Sequence, residues 1–352
     1  MNNADAIVCR QLQQQLLAHQ GQGLWVVDEN MAQFAPDRVV DGLSLLSNRV
    51  DIQEEMSALG WPVSYSDFDF SPWHSQPLDR IYYRISKEKA VVHHVINEAF
   101  RCLKPDGELL LVGAKNEGAK SYYDKARKLF GEGELSKAGK GVYVAHLTRS
   151  NDAADEWLDD RDYRRQRVIA EVNDHSLLSK PGTFGWDKID VGSQYLADNL
   201  DVIYQRLKTD KPKVLDLGCG YGYLSIRVAS RELSELVATD NNAAAIACCR
   251  KNLENLGPPY RVIADNCAQS ISEKFDLIVC NPPFHQGFSV EGELTDRFIA
   301  TAARLLAAGG QAAFVVNRFI PLERKAAGLF AEIETFADNG SFKLVRMARP
   351  SN

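Results

Sequence analysis

Along the second half of the chain, short apolar runs alternate with longer stretches of helical periodicity. Residues 214–217 form an apolar run bounded by Pro212 and Gly218, 236–239 form one that ends at Asp240, and 261–264 and Phe275–Cys280 read as two more. Between them 223–230 and Ala243–Leu253 suit helices. Such runs, bounded by turn residues, are buried strands, and strands separated by helices at this spacing make βαβ units and a parallel sheet. Ligands in such sheets lie beyond the carboxyl ends of the strands, so the residues just after each run are where chemistry is expected.

The first half repeats the pattern. A run at 78–83, a helix over 90–103, Pro105-Asp106-Gly107 and a run at 109–112 parallel Phe275–Cys280, a helix over 295–306, Gly309-Gly310 and a run at 312–316. Leu129-Phe130-Gly131-Glu132 and Leu329-Phe330-Ala331-Glu332 end the next helix of each half alike. The expectation is a duplicated α/β chain: one domain over 1–155, a charged linker and lead-in over 156–180, and a second domain over 181–352.

Composition narrows the class. The 352 residues are 45% hydrophobic and 25% charged, as in a chain that buries a core, which excludes disordered, collagen-like and disulfide-stapled proteins. No stretch reaches the roughly 18 apolar residues of a membrane helix. Residues 1–20 are polar and Gln-rich, without an apolar signal core, and the seven cysteines lack CxxC spacing. Reduced thiols in a cytoplasmic protein fit better than disulfides or zinc, so no metal and no membrane are expected. The formal net charge of −6 argues weakly against a nucleic-acid partner. Locally the sign reverses: residues 80–149 hold fourteen Lys and Arg against eight Asp and Glu, with Arg84, Lys87, Lys125 and Lys128 among them and Tyr82, Tyr83, Tyr122 and Tyr123 interleaved. Such cations neutralise phosphates and such rings stack bases, although a solvated basic face over core tyrosines reads equally.

Asp216-Leu217-Gly218-Cys219-Gly220-Tyr221-Gly222 follows the first run of the second half. Its glycines let the backbone turn sharply and approach a ligand. The dinucleotide pattern GxGxxG fails, because Tyr223 or Ser225 stands at the third position, and no lysine makes a P-loop. The spacing of Asp216, Gly218, Gly220 and Gly222 matches instead the loop that holds S-adenosylmethionine (SAM) in class I methyltransferases. Asp240, twenty positions after Gly220, can accept both hydroxyl hydrogens of a ribose or cap the next helix. Asp265, after the third run, can reach an adenine amine or stay in a solvated loop.

Asn281-Pro282-Pro283-Phe284 ends the fourth run. Neither proline can donate to a ladder, so the pair makes a stiff corner. That corner aims two acceptors, the Asn281 side chain and the Pro282 carbonyl, at one point where they can hold the two hydrogens of an NH2 group. Acceptors there localise the lone pair of a conjugated amine towards a methyl donor. Phe284 offers a flat face to a planar substrate, and Pro283 and His285 can shape its pocket. Cys219 and Cys280 read as packing residues.

These strings, with Pro181-Gly-Thr-Phe184, Asp190-Val-Gly-Ser-Gln194 and Gly340-Ser-Phe-Lys-Leu-Val-Arg346, resemble SAM-dependent amino methyltransferases. More narrowly, the chain is similar to the RsmC-type small-subunit ribosomal RNA guanine-N2 methyltransferases, over nearly its whole length and most firmly over 180–349. The resemblance implies two tandem Rossmann-like class I folds, the first degenerate and without a cofactor site. It implies SAM as cofactor, N2-methylguanosine in 16S rRNA as product and a small-subunit partner; a monomer is expected. It places 181–194 over the methionine end of the cofactor, with Gly192 and Ser193 in contact. Open alternatives are a large-subunit guanine-N2 enzyme, an adenine-N6 or protein glutamine-N5 methyltransferase, and a non-catalytic assembly factor.

Overall fold

The computed structural model describes residues 3–28, 31, 35–36, 38–150, 156–254, 256–283 and 288–351. The chain divides into two compact units, Met1–Arg165 and Gln166–Asn352. Unit one holds α1 (Asn3–Leu17), β1 (Gly23–Val27), β2 (Leu43–Ser47), α2 (Val50–Ala58), β3 (Val63–Tyr65), α3 (Ser71–His74), β4 (Leu78–Arg84), α4 (Lys89–Cys102), β5 (Leu103–Ala114), α5 (Ala119–Phe130), β6 (Gly131–Gly139) and β7 (Val142–Arg149). Unit two opens with a hairpin, β8 (Arg167–Val172) and β9 (His175–Ser179), and α6 (Val191–Asp198) and α7 (Leu200–Tyr204). There follow β10 (Lys213–Leu217), α8 (Tyr223–Ala229), β11 (Glu235–Asp240), α9 (Ala243–Leu253), β12 (Tyr260–Ala264), β13 (Phe275–Cys280), α10 (Phe288–Leu305), β14 (Leu306–Asn317), α11 (Leu322–Ala326), β15 (Phe330–Asp338) and β16 (Phe342–Pro350).

Each unit contains one seven-stranded sheet, and the two sheets have the same order: β3-β2-β1-β4-β5-β7-β6 and β12-β11-β10-β13-β14-β16-β15. The first five strands in each order are parallel, and the last two join by antiparallel pairings, so that only the sixth strand in each order runs against the rest. The central strands are buried on both faces, which is why they read as unbroken apolar runs rather than alternating ones. Strand order reverses between β10 and β13, and a crevice opens beyond their carboxyl ends at such a switch point.

The repeat can be aligned residue by residue. Leu24 pairs with Ile81 and Ile81 with Leu109, as Leu215 pairs with Ile278 and Ile278 with Ala312. Gly107 and Gly310 fix the register independently, one lying against the Leu78 carbonyl and the other against the Phe275 carbonyl. Trp25 then stands where unit two has Asp216, Val27 where it has Gly218, Ser47 where it has Asp240, and Arg84 where it has Asn281. Trp25 is fully buried, and Arg84 is nearly so, donating to Glu117 at 2.6 Å. The likeness of the helix ends is only partial: α5 runs to Phe130, whereas α11 stops at Ala326 and Phe330 opens β15.

The charged stretch expected as linker is divided between the units. Residues 156–165 are tied to α4: Leu158 and Asn97 exchange two hydrogen bonds, the His93 ring meets the Asp159 carbonyl at 2.6 Å, and Tyr163 stacks on His94 with centroids 4.2 Å apart. The cause lies in α4, which buries His93, His94, Asn97 and Glu98; buried polar groups need partners, and this strand of chain supplies them. Residues 166–180 carry the β8–β9 hairpin of unit two.

Candidate active site

The carboxyl ends of β10, β11 and β13 bring the glycine loop, Asp240 and Asn281 together at the crevice. Gly218, Gly220 and Gly222 all have positive φ, +78°, +54° and +89°. A side chain at Gly218 would meet the Phe298 ring at 3.0 Å, and one at Gly222 would meet Cys249 Sγ at 2.8 Å. At Gly220 nothing described lies within 4 Å of where a Cβ would sit. The outer glycines are therefore pinned by packing, while the middle one borders open space. Two backbone amides, those of Gly218 and Cys219, donate to the Thr239 carbonyl at 2.9 and 2.8 Å and lock the loop onto β11.

Asp240 bridges two loops. Its Oδ2 accepts from the Gly220 amide and its Oδ1 from the Asn242 amide, both at 2.9 Å. These two bonds fix the orientation of the carboxylate at the end of β11. It is not the helix cap: Asn242 takes that job, accepting from the Ala244 and Ala245 amides. Asn242 Nδ2 also donates to the Gly182 carbonyl at 3.1 Å, which ties the 181–184 segment to the crevice.

Asp216 lies beneath the loop, fully buried, with Oδ2 accepting from Ser225 Oγ at 2.6 Å and Oδ1 without a partner among the described residues. Burial pushes its carboxyl up to about 7. It supports the loop rather than facing a ligand. Asp265 does not offer the adenine contact expected of it. Its Oδ1 accepts from the Gln269 amide at 2.7 Å, and its Oδ2 from the Ser270 amide at 3.0 Å and from the Ser270 hydroxyl. Cys267 and Ala268, both at positive φ, turn those amides back onto it.

Asn281 is half-buried, and its Nδ2 donates to Asp190 Oδ1 at 2.7 Å and to Ser193 Oγ at 2.8 Å. Its Oδ1 has no partner among the described residues. Ser193 therefore touches the Asn281 amide, a contact its sequence position did not announce, and Asp190 is a site residue that sequence reasoning missed. The signal was present: an aspartate immediately before a helix is an N-cap candidate, and Asp190 caps α6 through the Ser193 amide at 2.8 Å. Pro282 is buried and Pro283 exposed. Phe284 and His285 lie outside the described residues. Cys219 and Cys280 are buried free thiols; a hydrogen bond with Cys249 together with burial holds Cys219, and burial holds Cys280, well above the ordinary thiol range.

In unit one the basic cluster sorts into two kinds. Arg84, expected at RNA, is buried against Glu117 with Asp5 3.7 Å away, so it cannot meet a phosphate. Lys87 and Lys128 are exposed, and Lys125 is half-buried with Nζ 3.4 Å from the His93 ring. Tyr82, Tyr83, Tyr122 and Tyr123 are buried core residues and cannot stack bases. A recess of about 550 Å³ in this unit surrounds buried Glu98, which already pairs with Arg164 at 3.0 Å and with Arg101, and meets the His74 ring at 2.9 Å. No group of three metal-ligating side chains occurs among the described residues. Nor, among those residues, is any helix long and apolar enough to cross a membrane.

Residues 174–346 match the family described as Methyltransferase small domain. Over its length the chain overlays the solved T. thermophilus 16S rRNA N2 G1207 methyltransferase (RsmC) in complex with AdoMet and guanosine. The TM-score is 0.79 at 23% identity, covering 97% of this chain and 91% of that one, a likeness of fold. Ribosomal RNA small subunit methyltransferase C of Citrobacter koseri is 29% identical over 76% of this chain and 75% of its own. The enzyme of the same name from Shewanella amazonensis is 30% identical over 76% of this chain and 77% of its own. Identity at that level and over that span, on a fold carried twice with the same strand order, means that the chain belongs to the ribosomal RNA small subunit methyltransferase C family.

Proposed function

We propose that unit two transfers the methyl group of SAM to the exocyclic N2 amine of a guanosine in 16S ribosomal RNA, presented within the small subunit, and releases S-adenosylhomocysteine. The observation that carries this reading is the anchored Asn281, which directly follows the strand paired with β10 and whose Oδ1 has no partner among the described residues. The residues fit the cofactor: a side-chain-free space at Gly220 and an oriented carboxylate at Asp240 suit a nucleoside, and the loop of Gly218, Gly220 and Gly222 stands over Asp216.

Bound SAM supplies an electrophilic methyl carbon on a positively charged sulfur. The chain does the rest by placement. Asp240 accepts the ribose hydroxyls, and Gly192 and Ser193 lie on the lead-in to the methionine end. Asn281 Oδ1 and the Pro282 carbonyl accept the two hydrogens of the guanine amine, so that its lone pair points along the line of displacement. Pro283 flanks the base, which must leave its stack to enter. The methylated ammonium is strongly acidic and loses its proton to water, so no strong base is required. Lys87, Lys125 and Lys128 of unit one contact RNA phosphates. The protein works in the cytoplasm as a monomer.

Incubation with labelled SAM and either small subunits, large subunits or a release factor tests the reading. The expected label is N2-methylguanosine in 16S rRNA. Label in the release factor alone, or in the large subunit alone, refutes it.

A further inference from the structure

We infer that Asp190 is a positioning residue for this transfer: it decides which end of the Asn281 amide faces the substrate. The inference rests on the function proposed above. The two ends of an asparagine amide have nearly the same shape but opposite hydrogen-bonding character, one accepting and the other donating. If the NH2 end faced a guanine amine, two donors would oppose each other and the lone pair would not be drawn out. An ionised carboxylate can only accept, so the atom placed 2.7 Å from Asp190 Oδ1 must be Nδ2. Ser193 Oγ, 2.8 Å away, takes the other hydrogen of the same NH2. Both hydrogens are thereby used, and Oδ1, the opposite end of the amide, has no partner among the described residues.

Asp190 is itself held firmly. Its Oδ1 also accepts from the Ser193 amide at 2.8 Å, closing the first turn of α6. Tyr221, from the glycine loop, donates its hydroxyl to the Lys188 carbonyl at 3.0 Å and fixes the chain just before Asp190. Between the two acceptors stands Gly192, where a Cβ would lie 3.2 Å from Asp190 Oδ1 and 3.2 Å from the Phe342 ring. The string Asp190-Val191-Gly192-Ser193 thus reads as an acceptor, a space for the clamp, and a second acceptor. It is a clamp for a side chain 91 positions away.

Four variants assayed beside the wild type on small subunits test the assignment: Asp190→Ala, Asp190→Asn, Asn281→Asp and the double variant Asp190→Asn/Asn281→Asp. Loss of the acceptor in Asp190→Ala lowers kcat by about tenfold to a hundredfold, while SAM affinity moves by no more than a few-fold. In Asp190→Asn the amide oxygen can still accept from both partners, so kcat recovers well above the alanine variant. Asn281→Asp sets two acceptors face to face and loses about a hundredfold. In the double variant the donor has moved to position 190 and an acceptor still faces the substrate, so kcat rises about tenfold over Asn281→Asp alone. A role for Asp190 in stabilising α6 alone gives no such recovery. Nitrogen NMR of the Asn281 side-chain amide gives a readout independent of turnover: its protons exchange slowly in the wild type and faster in Asp190→Ala. Wild-type kcat and unchanged exchange in Asp190→Ala, or a double variant no better than Asn281→Asp, overturns the assignment. A wild type that transfers no methyl group to 16S rRNA while the amide protons stay protected overturns the proposed reaction and leaves the clamp.

Discussion

Replacing Gly222 and Gly220 by alanine, one at a time, separates the two jobs of the glycine loop. At Gly222 the backbone has φ +89°, and the added methyl group would sit 2.8 Å from Cys249 Sγ and 3.2 Å from Cys249 Cα. Left-handed backbone costs an L-residue ~1–2 kcal/mol, and overpacking a filled core costs a further ~1–3 kcal/mol. Gly222→Ala should therefore lose ~2–5 kcal/mol of unit-two stability, which at this size lowers its melting transition by roughly 5–15 °C. Gly220 sits at φ +54° with nothing described within 4 Å, so only the backbone cost of ~1–2 kcal/mol applies. Its methyl group would instead enter the space left for the cofactor. Gly220→Ala should keep most of its stability and lose about tenfold or more in SAM affinity, equivalent to ~1.4 kcal/mol per tenfold.

Urea denaturation of the full chain, followed in the unit-two transition, and calorimetric titration with SAM make the two measurements. Adding Cys249→Ala to Gly222→Ala removes the nearer obstacle and should restore part of the loss, because contacting sites are not additive. The reasoning is refuted if Gly222→Ala is as stable as the wild type, or if Gly220→Ala binds SAM unchanged.

Three further outcomes follow from the same geometry. Glu117→Gln takes the nearest counter-charge from the buried Arg84 guanidinium and leaves Asp5, 3.7 Å away, and should destabilise unit one by ~1–3 kcal/mol in denaturant titration while SAM affinity holds. Asp216 keeps its proton in the folded chain up to about pH 7 but would lose it near 3.8 when unfolded. The unfolded state then binds fewer protons between those values, so stability falls by up to ~4 kcal/mol as pH rises through that window and is flat above it. Asp216→Asn should remove that slope, and parallel pH–stability curves for the two proteins would contradict the account. Reversing Lys87 and Lys128 to glutamate should weaken small-subunit binding and flatten its dependence on salt, with SAM affinity intact, as filter binding across a salt series would show.

Much of the fold was legible because central parallel strands bury both faces and so announce themselves as apolar runs. The runs at 214–217 and 236–239 became β10 and β11 within a residue or two, and Phe275–Cys280 became β13 with the same bounds. Glycine spacing and the double proline were legible for a related reason, since backbone that must adopt positive φ or leave a ladder restricts residue type. What escaped the sequence was partnership. Asp265 looks identical to a ligand carboxylate until its turn is seen to fold back on it. Arg84 looks like an RNA contact until Glu117, 33 residues on, is seen beside it. Tyr82 and Tyr122 look like stacking rings, but a strand covered on both faces and helical periodicity put them in the core.

The aligned repeat supports the division proposed above, in which unit two acts on a nucleoside and unit one does not. The four positions that shape the crevice in unit two are a buried acid, a glycine, an acid at a strand end and an amide. In unit one they are Trp25, Val27, Ser47 and Arg84. Trp25 brings bulk where Asp216 brings only a carboxyl, and Val27 restores the side chain that Gly218 omits. Ser47 spends its hydroxyl on the Val27 carbonyl at 3.0 Å, so it offers no carboxylate to a ribose. Arg84 replaces the Asn281 amide by a guanidinium folded inward onto Glu117 and the Ile85 carbonyl. Each change trades an opening for a filled, internally bonded contact. Sheet order and register are untouched, because those depend on the apolar runs and not on the residues at their ends. The same separation is why the catalytic reading must rest on Asn281, Asp190 and the glycine loop: the fold alone is present twice.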